Sequence, residues 1–516
     1  MLLVLLLLSL NAPTVVHAAP FRARAAVAPQ YSIEWSNCTD INLPNLQCGT
    51  MQVPLDWSAP GGAQISLFMT KIKSTSTNSS PGKSLLWNPG GPGVTASITC
   101  QLIGAGQIEY FSPALYEHFD IICPDPRGVG QSTPVKCDPA IYNQMPQLLV
   151  GDDAAAFQKL ANWNLAFGNS CLNMTGNLLR HVDTTSAAHD LEAIRLALDQ
   201  GKMNWFGNSY GSQLGAAYAE LYPQNVRALV LDGVLDHSLS ETVAFSTLGT
   251  TYEAELNRWF QWCQANTSCA LYGQENIPQV FDSLVAQANS APIPAPGCLN
   301  TSDTPSAGTC QASVTGYDMI FNAQGAYLSD PRLTGWVTFG VALNQSLSGN
   351  ATLLSNAVET GVSNDAFSGI AIGCLDWTAK HSLFPEHQAL QQLGSVVSPH
   401  TLGANQFFQY SSWCFNWPVP IANPPHALNT SQVAQLPSES VLLVNAEYDP
   451  ETSYVWAQGV KDQLTTSARD GDDKALVLTR RGDGHTSYAI QGQAARIMDA
   501  FWVNRTVPGN GTVVDS

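Results

Sequence analysis

The chain has 516 residues, 45% of them hydrophobic and only 12% charged, with 40 Asp plus Glu against 22 Lys plus Arg and a net charge of −18. That apolar share excludes a disordered chain, and the acidic balance excludes nucleic acids and anionic membrane surfaces as partners, because both would repel it. The length suits one large fold carrying an insertion, or about three average domains.

The N-terminus sets the compartment. Leu2 to Leu10 form an apolar run, and Val16-His17-Ala18 is a small-x-small pattern, so 1–18 reads as a signal peptide and 19–30 as a short pro-segment or linker. About nine apolar residues fall well short of the ~20 that span a bilayer, and a membrane anchor is not expected. Twelve cysteines, an even number, suit disulfides in an oxidising, extracellular setting. Short spacings favour Cys38–Cys48, Cys137–Cys171, Cys263–Cys269, Cys298–Cys310 and Cys374–Cys414, leaving Cys100 and Cys123 paired or free. Sequons begin at Asn37, Asn78, Asn173, Asn266, Asn300, Asn344, Asn350, Asn429, Asn504 and Asn510, so N-linked glycans are expected. No cysteine cluster has zinc spacing with histidines in register. Neither a metal nor a cofactor is expected.

In chain order, the first strand–helix alternation runs through Ser84–Asn88 and Phe119–Cys123, a helix from about Ser186 to Asp199, and the strand Met203–Phe206. A helix from about Gly211 to Leu221 and the strand Ala228–Leu231 follow. The same grammar returns in the strand Ser440–Val444, the helix Tyr454–Leu464, the strand Ala475–Leu478 and a closing helix Gln491–Trp502. Strands that are apolar throughout and alternate with helices imply a mostly parallel sheet covered on both faces, an α/β fold. Between the two stretches the texture is loop-rich, with helical pieces such as Thr250–Gln264. The expected division is a catalytic domain over 31–236 and 439–516, split by a mainly helical cap at 237–438.

Gly207-Asn208-Ser209-Tyr210-Gly211 stands between a strand and a helix. This is the G-x-S-x-G elbow, which exposes a serine at the sheet edge above a helix N-terminus. A serine nucleophile needs a base, and the base needs an orienting acid, in the order Ser, acid, His for this fold. Asp449 follows the strand Ser440–Val444, and His485 follows Ala475–Leu478. Asp232 or Asp236 is the reserve acid. The oxyanion requires two backbone N–H donors, expected from Tyr210 and from Gly91 in the loop Asn88-Pro-Gly-Gly-Pro-Gly93. With an ordinary imidazole, activity should fall as the pH drops through about 6.5.

These motifs, in this order, resemble the secreted α/β-hydrolase peptidases of the prolyl and tripeptidyl aminopeptidase type. The resemblance rests on Trp35…Cys38…Cys48, Val53-Pro-Leu-Asp-Trp57, Asn88 to Gly93, and Phe119-Asp120…Asp125-Pro-Arg-Gly-Val-Gly-Gln-Ser132. Asp190-Leu-Glu-Ala-Ile-Arg195, the elbow, Leu231-Asp-Gly-Val234, Cys374-Leu-Asp376, Cys414…Trp417-Pro418, Tyr448-Asp449-Pro450 and Gly484-His485 complete it. It implies an α/β-hydrolase fold with a cap, peptide substrates cut near a free N-terminus, and Ser209, Asp449 and His485 as the triad. Pro89 stands where many prolyl aminopeptidases have His, which favours the longer-peptide branch.

An aminopeptidase must also hold an ammonium, for which Asp376 and Glu447 are the candidate carboxylates. Arg127 is expected to be structural, tying loops by bidentate hydrogen bonds. Two rival readings remain: a secreted carboxylesterase or lipase-like enzyme using the same triad, and a non-catalytic binding protein derived from a hydrolase.

Overall fold

The computed structural model describes residues 31–76, 83–298, 310–330, 332–465 and 473–515. The expected signal peptide and pro-segment lie outside them, as do the sequons at Asn78 and Asn300. Among the described residues ten strands form one sheet. They are β1 (Glu34–Ser36), β2 (Leu46–Pro54), β3 (Gln64–Ile72), β4 (Ser84–Asn88), β5 (Asp120–Pro124), β6 (Met203–Asn208), β7 (Val226–Asp232), β8 (Val441–Tyr448), β9 (Ala475–Asp483) and β10 (Thr512–Asp515). Their spatial order is β1-β2-β3-β5-β4-β6-β7-β8-β9-β10. Everything from β5 to β10 in that order runs parallel. β1, β2 and β3 add an antiparallel edge.

The central strands read apolar without alternation because both faces are covered. β4 and β6 are buried at every position. Successive side chains enter two separate cores, with Trp205, Leu229, Leu443 and Val477 in one and Phe206, Val230, Leu442 and Leu476 in the other. Helices α1 (Ala96–Gly104), α2 (Ala154–Thr175), α3 (Thr184–Ala197) and α4 (Tyr210–Leu221) follow the early strands. Leu191 and Ile194 of α3 and Leu214 and Tyr218 of α4 fill the first core. Helix α3 starts at Thr184, two residues before the expected point, because the Asp183 carboxylate caps it by accepting from the Ser186 N–H at 2.9 Å.

The insertion between β7 and β8 is mainly helical and includes α5 (Glu241–Ala265), α6 (Asp365–Asp376) and α7 (Gln406–Cys414). After it, α8 (Tyr454–Thr465) and α9 (Gln493–Asn504) alternate with the last strands, and Met498, Phe501 and Trp502 of α9 close the second core. A second excursion, 139–180 between β5 and β6, packs on this insertion. Asn164 of α2 donates from Nδ2 to the carbonyls of Ser412 and Phe415 at 2.8 and 3.1 Å, and the Phe157 and Phe415 rings stack 5.3 Å apart. Residues from Tyr31 onward thus form one compact unit.

All twelve cysteines pair: the five local bridges form as spaced, and Cys100 on α1 joins Cys123 on β5. Arg127 is fully buried, and its guanidinium forks onto Asp190 at 2.6 and 2.7 Å. It also donates to the carbonyls of Leu55, His181 and Pro54. Among the described residues no helix is long and apolar enough to cross a membrane.

Candidate active site

The elbow forms because strand, turn and helix meet with almost no room. Ser209 sits at φ 54° between β6 and α4, in the left-handed region that non-glycine residues seldom occupy. A Cβ at Gly207 would lie 2.0 Å from the Gly211 carbonyl oxygen, so only glycine fits there. The turn is pinned by the Ser209 N–H donating to the Asp232 carbonyl at 2.9 Å and the Ser212 N–H donating to the Ser209 carbonyl at 2.8 Å. The loop after β4 lies directly against it, since a Cβ on Gly90 would stand 2.7 Å from the Ser209 Cβ and 3.2 Å from the Tyr210 nitrogen. Gly91 and Ser209 consequently line one pocket.

Asp449 is fully buried just past the end of β8. It accepts from the Glu451 and Thr452 N–H groups at 3.0 and 2.8 Å and from the Thr452 hydroxyl at 2.7 Å. His485, on the loop after β9, donates from Nδ1 toward both Asp449 oxygens at 2.8 and 2.9 Å. Burial alone would raise the Asp449 pKa, but the His485 charge and these hydrogen bonds hold it below the usual carboxylate range. The opposite imidazole nitrogen, Nε2, is buried with no hydrogen-bond partner among the described residues. Its nearest charge is Glu451 Oε2 at 3.7 Å. Burial would depress the His485 imidazolium, but the charges of Asp449 and Glu451 and the Asp449 hydrogen bond outweigh it and lift its pKa to about 9.

The reserve acids have other work. Asp232 accepts from the Ser487 and Tyr488 N–H groups, both at 2.9 Å, bracing the loop that carries His485. Asp236 accepts from the Ser238 N–H at 2.9 Å.

The two carboxylates expected to hold an ammonium lie outside the Ser209 pocket. Asp376 is fully buried at the end of α6. It accepts from the Thr184 N–H at 3.0 Å, the Asn423 amide at 2.9 Å and the Gln213 amide at 3.4 Å. Burial pushes its pKa up to about 7. The Thr184 hydroxyl that also donates to it lies 2.6 Å from the Tyr210 hydroxyl, so Asp376 ties the insertion to the elbow helix. Glu447, near the end of β8, is exposed.

The pocket wall facing Ser209 is instead built from Trp377, Phe407 and Tyr410 of the insertion, Trp456 of α8, and Glu451. Sequence reasoning passed over Glu451, although it stands two residues beyond Asp449 in the same turn. Only the fold of that turn reveals that Asp449 points at the imidazole and Glu451 into the cavity.

Residues 83–286 match the alpha/beta hydrolase fold family and residues 400–514 the TAP-like protein family. A tripeptidyl aminopeptidase of Streptomyces coelicolor is 28% identical over 83% of this chain and 77% of its own length. The serine protease Hip1 of Mycobacterium tuberculosis is 27% identical over 93% of this chain and 90% of its own, and a carboxylesterase B of the same organism 27% identical over 89% and 85%. The chain is therefore a serine hydrolase on the α/β-hydrolase fold, similar to the TAP-like proteins.

Proposed function

We infer that the protein is a secreted, glycosylated serine exopeptidase that cuts peptides near a free N-terminus through Ser209, His485 and Asp449. The observation that carries this is the Asp449–His485 pair, whose Nε2 lies 3.7 Å from the carboxylate of Glu451, a side chain that lines the pocket holding the elbow serine. Relatives named tripeptidyl aminopeptidase and serine protease support peptides as the substrate class.

In the first half-reaction His485 Nε2 takes the Ser209 proton as Oγ attacks the carbonyl carbon. The N–H groups of Gly91 and Tyr210 receive the oxyanion, each worth about 10²–10³ in rate. Collapse passes the proton from His485 to the leaving amine and leaves an acyl-enzyme, which water opens by the same steps in reverse. Asp449 fixes the imidazole with Nδ1 protonated and stabilises its cation. The segment 237–438 acts as the cap over 31–236 and 439–516.

A secreted compartment is supported by the leader pattern at 1–18, with 19–30 as a short pro-segment or linker, by six disulfides, and by the sequons. Of those described, Asn37, Asn173, Asn344, Asn429, Asn504 and Asn510 are exposed, and Asn266 and Asn350 half-buried.

Chromogenic anilides test the reading. Free-amine anilides of alanine, proline and short peptides should be cleaved, and N-blocked copies should not. Turnover of a short-chain acyl ester alone, with no anilide cleaved, would move the protein to the esterase reading that the carboxylesterase B relative keeps open.

The pH dependence should be unusual. A base must be neutral, so kcat/KM should rise with pH through the His485 titration, near 9 rather than the ordinary 6.5. Stability moves the opposite way. A raised folded pKa favours the folded state below about 6.5, and that contribution is lost as the pH climbs through about 9. A kcat/KM profile already flat by pH 7 would contradict this.

A further inference from the structure

We propose that Glu451 receives the free α-ammonium of the substrate. This rests on the aminopeptidase reading above. Glu451 lines the Ser209 pocket together with the rings of Trp377, Phe407, Tyr410 and Trp456 and the polar side chain of Gln406, among others. Its Oε1 accepts from the Ser329 hydroxyl, which fixes the direction of the carboxylate. Its Oε2 faces His485 Nε2 at 3.7 Å, beyond hydrogen-bonding range. One oxygen is tied, and the other is turned toward the reacting centre. Burial raises the pKa of this carboxyl despite the nearby imidazole and the Ser329 hydrogen bond, so its surroundings leave the negative charge incompletely compensated. An ammonium supplies the missing partner, whereas an acylated N-terminus would leave the charge desolvated and unpaired.

The aromatic walls suit an apolar first side chain. The arrangement also links binding to chemistry. An ammonium on Glu451 cancels one of the two carboxylate charges flanking His485, so a free N-terminus favours the neutral base, with the displaced proton leaving to solvent.

The test compares wild type, Glu451→Gln and Ser329→Ala on p-nitrophenyl esters of alanine and N-acetylalanine. The readout is the ratio of kcat/KM for free over acetylated ester, because damage to folding or to the triad lowers both rates together. In Glu451→Gln the ratio should fall on the order of 100-fold, and in Ser329→Ala several-fold, which preserves the test should Glu451→Gln not fold. An unchanged ratio in both variants overturns the proposal while leaving an aminopeptidase standing. A wild type indifferent to acetylation removes the proposal and the aminopeptidase reading together.

Discussion

Ser209→Ala should lower kcat on the order of 10⁶-fold, the loss expected when the nucleophile of a serine triad is removed, while residual catalysis from the oxyanion donors remains. Folding should survive. The change deletes one hydroxyl oxygen and retains the Cβ, and the backbone bonds that pin the elbow, from Ser209 N–H to Asp232 and from Ser212 N–H to Ser209, do not involve it. Asp449→Asn should cost about 10⁴, because an amide no longer holds the imidazole in the tautomer that leaves Nε2 free. Both losses are read from kcat on purified protein whose circular dichroism and melting point match wild type. A Ser209→Ala enzyme within tenfold of wild type would mean that another group is the nucleophile.

The largest effect on stability should come from Arg127→Ala, a site remote from the chemistry. The guanidinium is fully enclosed and satisfies Asp190 together with the carbonyls of Pro54, Leu55 and His181. Its removal leaves a buried carboxylate whose other side-chain donor among the described residues is the Trp57 indole N–H at 3.0 Å, and it takes a donor from each of the three carbonyls as well. Breaking a buried pair by deleting one partner costs about 3–5 kcal/mol, measurable as a shift in the urea midpoint with little change in m. Arg127→Lys should recover only part of this, because an ammonium cannot reproduce the fork. A loss under 1 kcal/mol for Arg127→Ala would show that water or a rearranged loop replaces the guanidinium.

The parts of the molecule legible in the sequence are those written in short stretches. Gly207 to Gly211 encodes its turn locally, since a Cβ on Gly207 has nowhere to go. The strands around it announce themselves as apolar runs because both faces are covered. Asp449 and His485 could be located because each follows such a strand. β1, β2 and β3 escaped notice because they pair antiparallel at a sheet edge, where a weaker alternation replaces the continuous run. The packing of α2 on the insertion was invisible for a different reason: Asn164 meets Ser412 and Phe415 only through tertiary structure. The carboxylates illustrate the same limit. Nothing in composition distinguishes Asp376, saturated by Thr184, Asn423 and Gln213, from Glu451, which faces the pocket. Their difference is one of direction, and direction is set by the fold. His485 was found, but its basicity was not, because the second carboxylate beside it had not been counted.

The distribution of the site along the chain also times its assembly. Ser209 leaves the ribosome on the strand-to-helix turn after β6, whereas Asp449 and His485 follow β8 and β9, near the C-terminus. At ~5–20 residues per second, the roughly 280 residues between serine and histidine take some 15–55 s to synthesise. On the proposed mechanism the serine has no base throughout that interval, and β7 lacks the neighbour that completes the centre of the sheet. The newborn chain should therefore lack triad chemistry until its last strands dock, and a truncation before His485 should leave only residual turnover from the oxyanion donors.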